Sequence, residues 1–142
     1  MEKKIFSCEL GGQTLSVSFS KMAPQASRSL LVQQGDTVAL VTATMSKNKR
    51  EGIDFFPLVV DFEEKFYAAG KFIGSRFIKR EGRPSEEAIL SGRMTDRALR
   101  PLFNQSMRNE VQVVITVLSM DEHNDADVLG MVGASIALAT SD

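Results

Sequence analysis

The stretch "EVQVVITVLSMDEHNDADVLGMVGASIALATSD" (residues 110–142) changes character in its first third, and that change decides the fold class. Through Met120 it is rich in Val and Ile, the composition of a buried β-strand. Polar turn residues follow, and a helix begins near Asp125. Gly130, Gly133, Ala134 and Ala137 recur three or four apart, so they share one smooth helix face that lets another backbone approach closely. A buried strand followed by a small-faced helix implies a sheet with a helix lying on it.

Working upstream, "FIKREGRPSEEAILSGRMTDRALRPLF" (77–103) supplies a second helix. Ser85 is placed as its N-cap, and Glu86 and Glu87 put negative charge where the helix dipole favours it. The helix should run to about Leu99 and stop before Pro101. Its Leu90, Met94 and Ala98 form an apolar stripe expected to pack on the sheet. Residues 65–84 carry Gly70, Gly74, Gly82 and Pro84 without periodicity and read as a long surface loop.

The first half reads as strands. Residues 3–9 and 13–19 flank Gly11-Gly12, a hairpin signal, and 14–19 alternates polar with apolar. Gln33-Gln34-Gly35-Asp36 suggests a turn between 29–32 and the β-branched run 37–44. Residues 55–64 make a further strand, with Pro57 marking an edge or a strand start. The order of several antiparallel strands, helix, strand, helix implies one α+β domain over 1–142.

Bulk composition bounds the function. The 142 residues are 43% hydrophobic and 25% charged, with net charge −1 and pI about 5.9, so any polyanion must be met by a local patch. The lone Cys8 excludes an intrachain disulfide and fits a reducing compartment. Met1-Glu2-Lys3-Lys4 does not open a signal peptide. No apolar run is longer than Val38 to Val41, against the ~20 residues a membrane helix needs. No membrane association and a cytoplasmic location are the expectation.

Such a patch exists. Between Arg76 and Arg100 there are seven basic residues (Arg76, Lys79, Arg80, Arg83, Arg93, Arg97, Arg100) against four acidic ones. Arg93, Arg97 and Arg100 lie i, i+4, i+7 along one helix face. One reading is a solvated face trimmed by local pairs, such as Asp96 with Arg93 or Arg100, which are worth ~0–1 kcal/mol when exposed. The other is a single-stranded nucleic acid site. Arginine forks suit phosphate oxygens, and Phe77 beside Lys79 and Arg80 offers a ring for base stacking.

Other chemistry fails. Gly70-Lys71 is no phosphate loop, because Lys65 stands where the leading glycine belongs. Gly130 and Gly133 fall inside a helix, not after a strand. Asp121, Asp125 and Asp127 lack the glycine and distant glutamate of a calcium loop and read as helix caps. His123 is the single histidine and reads as a surface residue; Asp61, Glu63 and Glu64 read as solvated carboxylates.

"KMAPQAS", "GDTVALVTATMS", "REGIDFFPLVVDFEEKFYAAGK", "FIKREGRPSE", "DRALRPLF", "NEVQVVITVLSMD" and "VGASIALATSD", in this order, resemble the N-terminal part of the bacterial polynucleotide phosphorylases. The resemblance spans nearly the whole chain. It implies an RNase PH-like fold, a mixed, mostly antiparallel sheet packed against two α-helices. In that family two such cores, with KH and S1 modules, form one subunit of a homotrimeric ring. The ring degrades RNA from its 3′ end with inorganic phosphate as co-substrate, releasing nucleoside diphosphates in mRNA turnover.

By the same resemblance, Mg2+ or Mn2+ supports the chemistry through ligands outside this chain, which would be a fragment of the enzyme lacking the second core. Phe77, Ile78, Lys79 and Arg80 match the loop that grips single-stranded RNA. Arg83, Arg93, Arg97 and Arg100 match basic positions facing the RNA path. Partners in an RNA-degradation complex are implied too. Arg28 departs from the family, which carries glycine there. An alternative is a non-catalytic RNA-binding subunit of an exosome-like ring.

Overall fold

A computed structural model describes residues 4–19, 22–72, 77 and 82–141. Six strands form one sheet: β1 (Lys4–Leu10), β2 (Gln13–Phe19), β3 (Arg28–Gln34), β4 (Thr37–Lys49), β5 (Leu58–Glu63) and β6 (Asn109–Ser119). Helix α1 (Glu86–Leu99) lies between β5 and β6 in the chain, and α2 (Ala126–Ala139) follows β6. The spatial order is β1-β2-β3-β4-β6-β5. Every neighbouring pair is antiparallel except β5 and β6. A parallel pair cannot be closed by a tight turn, and α1 lies within the crossover that joins its strands.

Alternation along the central strands puts one face under the helices. Val111, Val113, Ile115 and Val117 of β6 are buried, as are Ala39, Val41 and Ala43 of β4 and Leu30 and Val32 of β3. Each fully buried Val or Ile contributes roughly 1.5–3 kcal/mol. The small face of α2 seats here. A Cβ on Gly133 would stand 2.8 Å from Val41 Cγ2 and 2.9 Å from Val32 Cγ1, so glycine sets the spacing between helix and sheet.

Sequence and structure differ at three places. Residues 55–57 are not strand, and Pro57 precedes the first residue of β5, which is also the sheet edge. The stretch 65–84 contains a 3₁₀ turn, Phe66–Ala69, ended by Gly70 in the left-handed region. The expected packing stripe of α1 is overturned: Leu90, Met94 and Ala98 are exposed, and the buried positions are Ala88, Ser91, Gly92, Thr95 and Leu99. The reason is steric. A Cβ on Gly92 would lie 3.1 Å from the Val60 carbonyl oxygen, so α1 must turn a small residue to β5 at its closest approach. Thr95 satisfies its hydroxyl by donating to the Ser91 carbonyl one turn back, and the single Ser91 hydroxyl proton is shared between the Glu87 carbonyl and Asp127.

Candidate nucleic-acid interface

The start of α1 is pinned by Ser85. Its Oγ accepts from the Ala88 backbone N–H at 3.0 Å and donates to Glu64 Oε2 at 2.6 Å, tying the helix to the end of β5. From that fixed start the arginines of α1 fall into two kinds. Arg93 and Arg97 are exposed and make no hydrogen bond or ion pair with any described residue, and the same holds for Arg83 before the helix. Arg93 borders a cleft of about 300 Å³ between α1 and β5, lined also by Asp61, Pro84, Ile89 and Asp96.

Arg100 is placed differently. Its Nε and one terminal nitrogen hold Asp96 at 2.9 and 2.7 Å. The other contacts run to backbone carbonyls of Phe56 at 3.0 Å and Leu58 at 3.1 Å. The Asp96 hydrogen bonds raise the Arg100 pKa above its ordinary value, against a smaller opposing effect of burial. Grouped with the RNA-facing arginines on resemblance, Arg100 instead has its guanidinium committed within the fold, where it clamps the end of α1 to the start of β5.

Phe77 is 88% exposed. Ile78, Lys79 and Arg80 lie outside the described residues.

The carboxylates are engaged in structure. Asp121 Oδ1 accepts from the His123 and Asn124 backbone N–H groups at 2.8 and 2.7 Å. Its Oδ2 accepts from Asn124 Nδ2 at 2.7 Å and from the Asp36 N–H at 3.0 Å. These bonds, that from the Asn124 side chain foremost, hold its pKa well below the carboxylate range. They also staple the β3–β4 turn to the β6–α2 turn. Gly35 in the first turn has φ +58°, and a Cβ there would come within 2.6–2.7 Å of Asn124 Nδ2 and Asp121 Oδ2. Asp127 accepts from Ser91 Oγ at 2.8 Å and joins the two helices, while Asp125 flanks α2 without a side-chain cap bond. Asp61 accepts from Gln112, Glu63 pairs with Lys65, and His123 is exposed.

Sequence reasoning missed two cross-chain devices. Thr37 Oγ1 accepts from the Asp121 N–H and donates to the Asn124 carbonyl. Arg28 donates through Nε to the Thr140 carbonyl at 2.6 Å, and its guanidinium sits 5.9 Å from the centre of the Phe19 ring. It thus neutralises the C-terminal end of α2, which has no basic residue in its last turn. Nothing local marks either contact, since the partners are over 80 residues apart; only Asp96–Arg100, at i, i+4, was legible.

Residues 11–142 match the model of the 3′ exoribonuclease family, domain 1. The chain belongs to this family. Among its relatives in the 3′ exoribonuclease family is the polyribonucleotide nucleotidyltransferase of Heliobacterium modesticaldum, 57% identical over 98% of this chain and 20% of its own length. That of Desulforamulus reducens is 61% identical over 93% of this chain and 18% of its own. The chain therefore spans about a fifth of the curated relatives it matches. Two solved structures share the fold. Rice (Oryza sativa) Rrp46 superposes with TM-score 0.62 at 13% identity, over 97% of this chain and 55% of that one. A chain of the Archaeoglobus fulgidus exosome with RNA bound to the active site gives 0.61 at 21%, over 99% and 51%.

Proposed function

We propose that this chain is the first RNase PH-like core of a phosphorolytic 3′→5′ exoribonuclease that degrades RNA with inorganic phosphate to nucleoside diphosphates, and that the segment guides single-stranded RNA. The observation that carries it is the division among the arginines of α1. Arg93 and Arg97 stand in solvent without a described partner, as does Arg83, while Asp96 is occupied by Arg100. Guanidinium groups not matched by acids are available to phosphate oxygens. The enzyme reading is preferred to a non-catalytic ring subunit because relatives 52–61% identical carry the nucleotidyltransferase name.

The whole protein on this reading is a cytoplasmic homotrimer acting in mRNA turnover, with Mg2+ or Mn2+. Among the described residues no three His, Cys, Asp or Glu side chains gather to hold a metal, and Asp121 already accepts four hydrogen bonds. The donors present do not fit the ion. The segment's own part is to bind and orient the strand.

The test compares variants of the longer protein in oligo(A) binding at several salt concentrations. Arg93→Ala with Arg97→Ala should weaken binding and flatten the salt dependence by about 0.7 in log–log slope for each phosphate no longer neutralised. Lys79→Ala with Arg80→Ala should weaken binding of long RNA while sparing turnover of a dinucleotide. An unchanged salt slope for the first pair would remove the reading.

A further inference from the structure

Residues 65–80 hold four of the chain's ten aromatic side chains and five lysines or arginines, with no acidic residue among them. The residues placed on the RNA path, Phe77 to Arg80, take up only the end of this stretch. Its beginning is a well-defined element. Phe66–Ala69 forms the 3₁₀ turn that Gly70 ends at φ +66°. The Gly70 N–H donates to the Tyr67 carbonyl and the Lys71 N–H to the Phe66 carbonyl, both at 3.0 Å. The Ala68 carbonyl accepts from the Met120 N–H at 3.1 Å, which ties the turn to the chain leaving β6. On this anchored backbone Tyr67 is 52% and Phe72 83% exposed, and neither ring stacks on another described ring. Phe66 borders the groove that carries Glu64 and Glu87, whereas Tyr67 and Phe72 do not. Lys65 is taken by Glu63 at 3.2 Å, but the exposed Lys71 has no ion pair with any described residue.

We infer that Tyr67 and Phe72 form a second stacking platform for the bases of single-stranded RNA, with Lys71 beside them holding a phosphate. This role rests on the RNA-guiding function proposed for the segment and extends the strand's path from Phe77 back to the turn at Gly70. An aromatic ring takes a base of any identity on its π-face while a neighbouring ammonium meets the backbone, so rings interleaved with cations suit a strand held without regard to sequence. The charge selects the occupant. A stretch with five cations and no acid attracts a polyanion, whereas an apolar protein surface gains nothing from them. The turn also holds its backbone in place before any strand arrives, which lowers the ordering cost of binding.

The test measures binding by the longer protein at several salt concentrations, with oligo(A) and with an abasic ribose-phosphate strand of equal length. Tyr67→Ala and Phe72→Ala should each weaken oligo(A) binding about tenfold and leave the abasic strand unaffected. Their salt slope should match the parent's, since no cation is lost. Phe72→Trp should bind like the parent and Phe72→Leu like Phe72→Ala, because leucine keeps apolar bulk without a π-face. Lys71→Ala should flatten the slope by about 0.7 on both strands. Equal losses on the two strands, or parental binding by Phe72→Leu, overturn the proposal. So does a large fall in melting temperature for Tyr67→Ala or Phe72→Ala, which would mean that protein covers these rings in the longer chain. Base-dependent losses here beside an unchanged slope in Arg93→Ala with Arg97→Ala would remove the arginine path and keep the platform; the converse pattern removes the platform alone. A longer protein that binds no oligo(A) removes both.

Discussion

The two helices lie on the same sheet face and meet it mostly with small side chains, but their outer sides differ. α2 presents Leu129, Gly130, Gly133, Ala134 and Ala137 inward, with Val132, Ile136 and Leu138 partly buried beside them and Val128 and Ser135 outward. α1 presents Ala88, Ser91, Gly92 and Thr95 inward and mixes Arg93 and Arg97 with Leu90 and Met94 outward. Size governs the points of closest approach, Gly92 against the Val60 carbonyl and Gly133 against Val41 and Val32, while Leu99 and Leu129 are buried elsewhere on the same faces. Hydrophobicity distinguishes the outer faces instead. α1 carries Arg93 and Arg97 outward, whereas α2 has no charged residue from Val128 to Ala139.

The comparison breaks most severely at the closest approach of helix and sheet. Gly133→Leu should destabilise the fold by about 3 kcal/mol or more in urea denaturation, since Val41 and Val32 cannot both retreat. Full stability in that variant would show that α2 is not seated as described. Next is the clamp at the end of α1. Arg100→Ala removes bonds to Asp96 and to two carbonyls and should cost about 2 kcal/mol, with Arg100→Lys recovering only part because an ammonium lacks the fork.

A smaller effect attaches to Asp121, whose carboxylate faces solvent. Its folded pKa is depressed, so the stability it contributes is present above the ordinary carboxylate value of about 4 and lost as pH falls below it. Asp121→Asn should be less stable at neutral pH and show a shallower loss of urea midpoint on acidification than the parent. A parallel pH profile would detach Asp121 from the staple. Least of all should follow from Arg93→Ala and Arg97→Ala, each within about 0.5 kcal/mol of the parent in stability. A loss as large as that of Arg100→Ala would mean these side chains are structural and unavailable to RNA.

Much of this was legible in the chain. The hairpin at Gly11-Gly12, the Ser85 cap, the stop before Pro101 and the small face of α2 depend on neighbours within a turn or two, and all appear where local chemistry puts them. The packing face of α1 was not legible, because Ile89, Leu90 and Met94 point away from the sheet while Ser91, Gly92 and Thr95 point in beside Ala88 and Leu99. Among the candidate site residues, the spacing placed Arg93, Arg97 and Arg100 on one helix. It could not say that Arg100 would find the carbonyls of Phe56 and Leu58, more than 40 residues earlier.

The sequence by itself determined the kinds of element, their order, the density of arginine around α1 and the family, because periodicity, caps and turn residues act over a few positions. The tertiary structure alone decided that β5 runs parallel to β6 at the edge of the sheet, that Arg28 closes the end of α2, and which of the described arginines have no described partner. Those outcomes depend on groups far apart in the chain meeting at hydrogen-bond distance, and no local pattern encodes such a meeting.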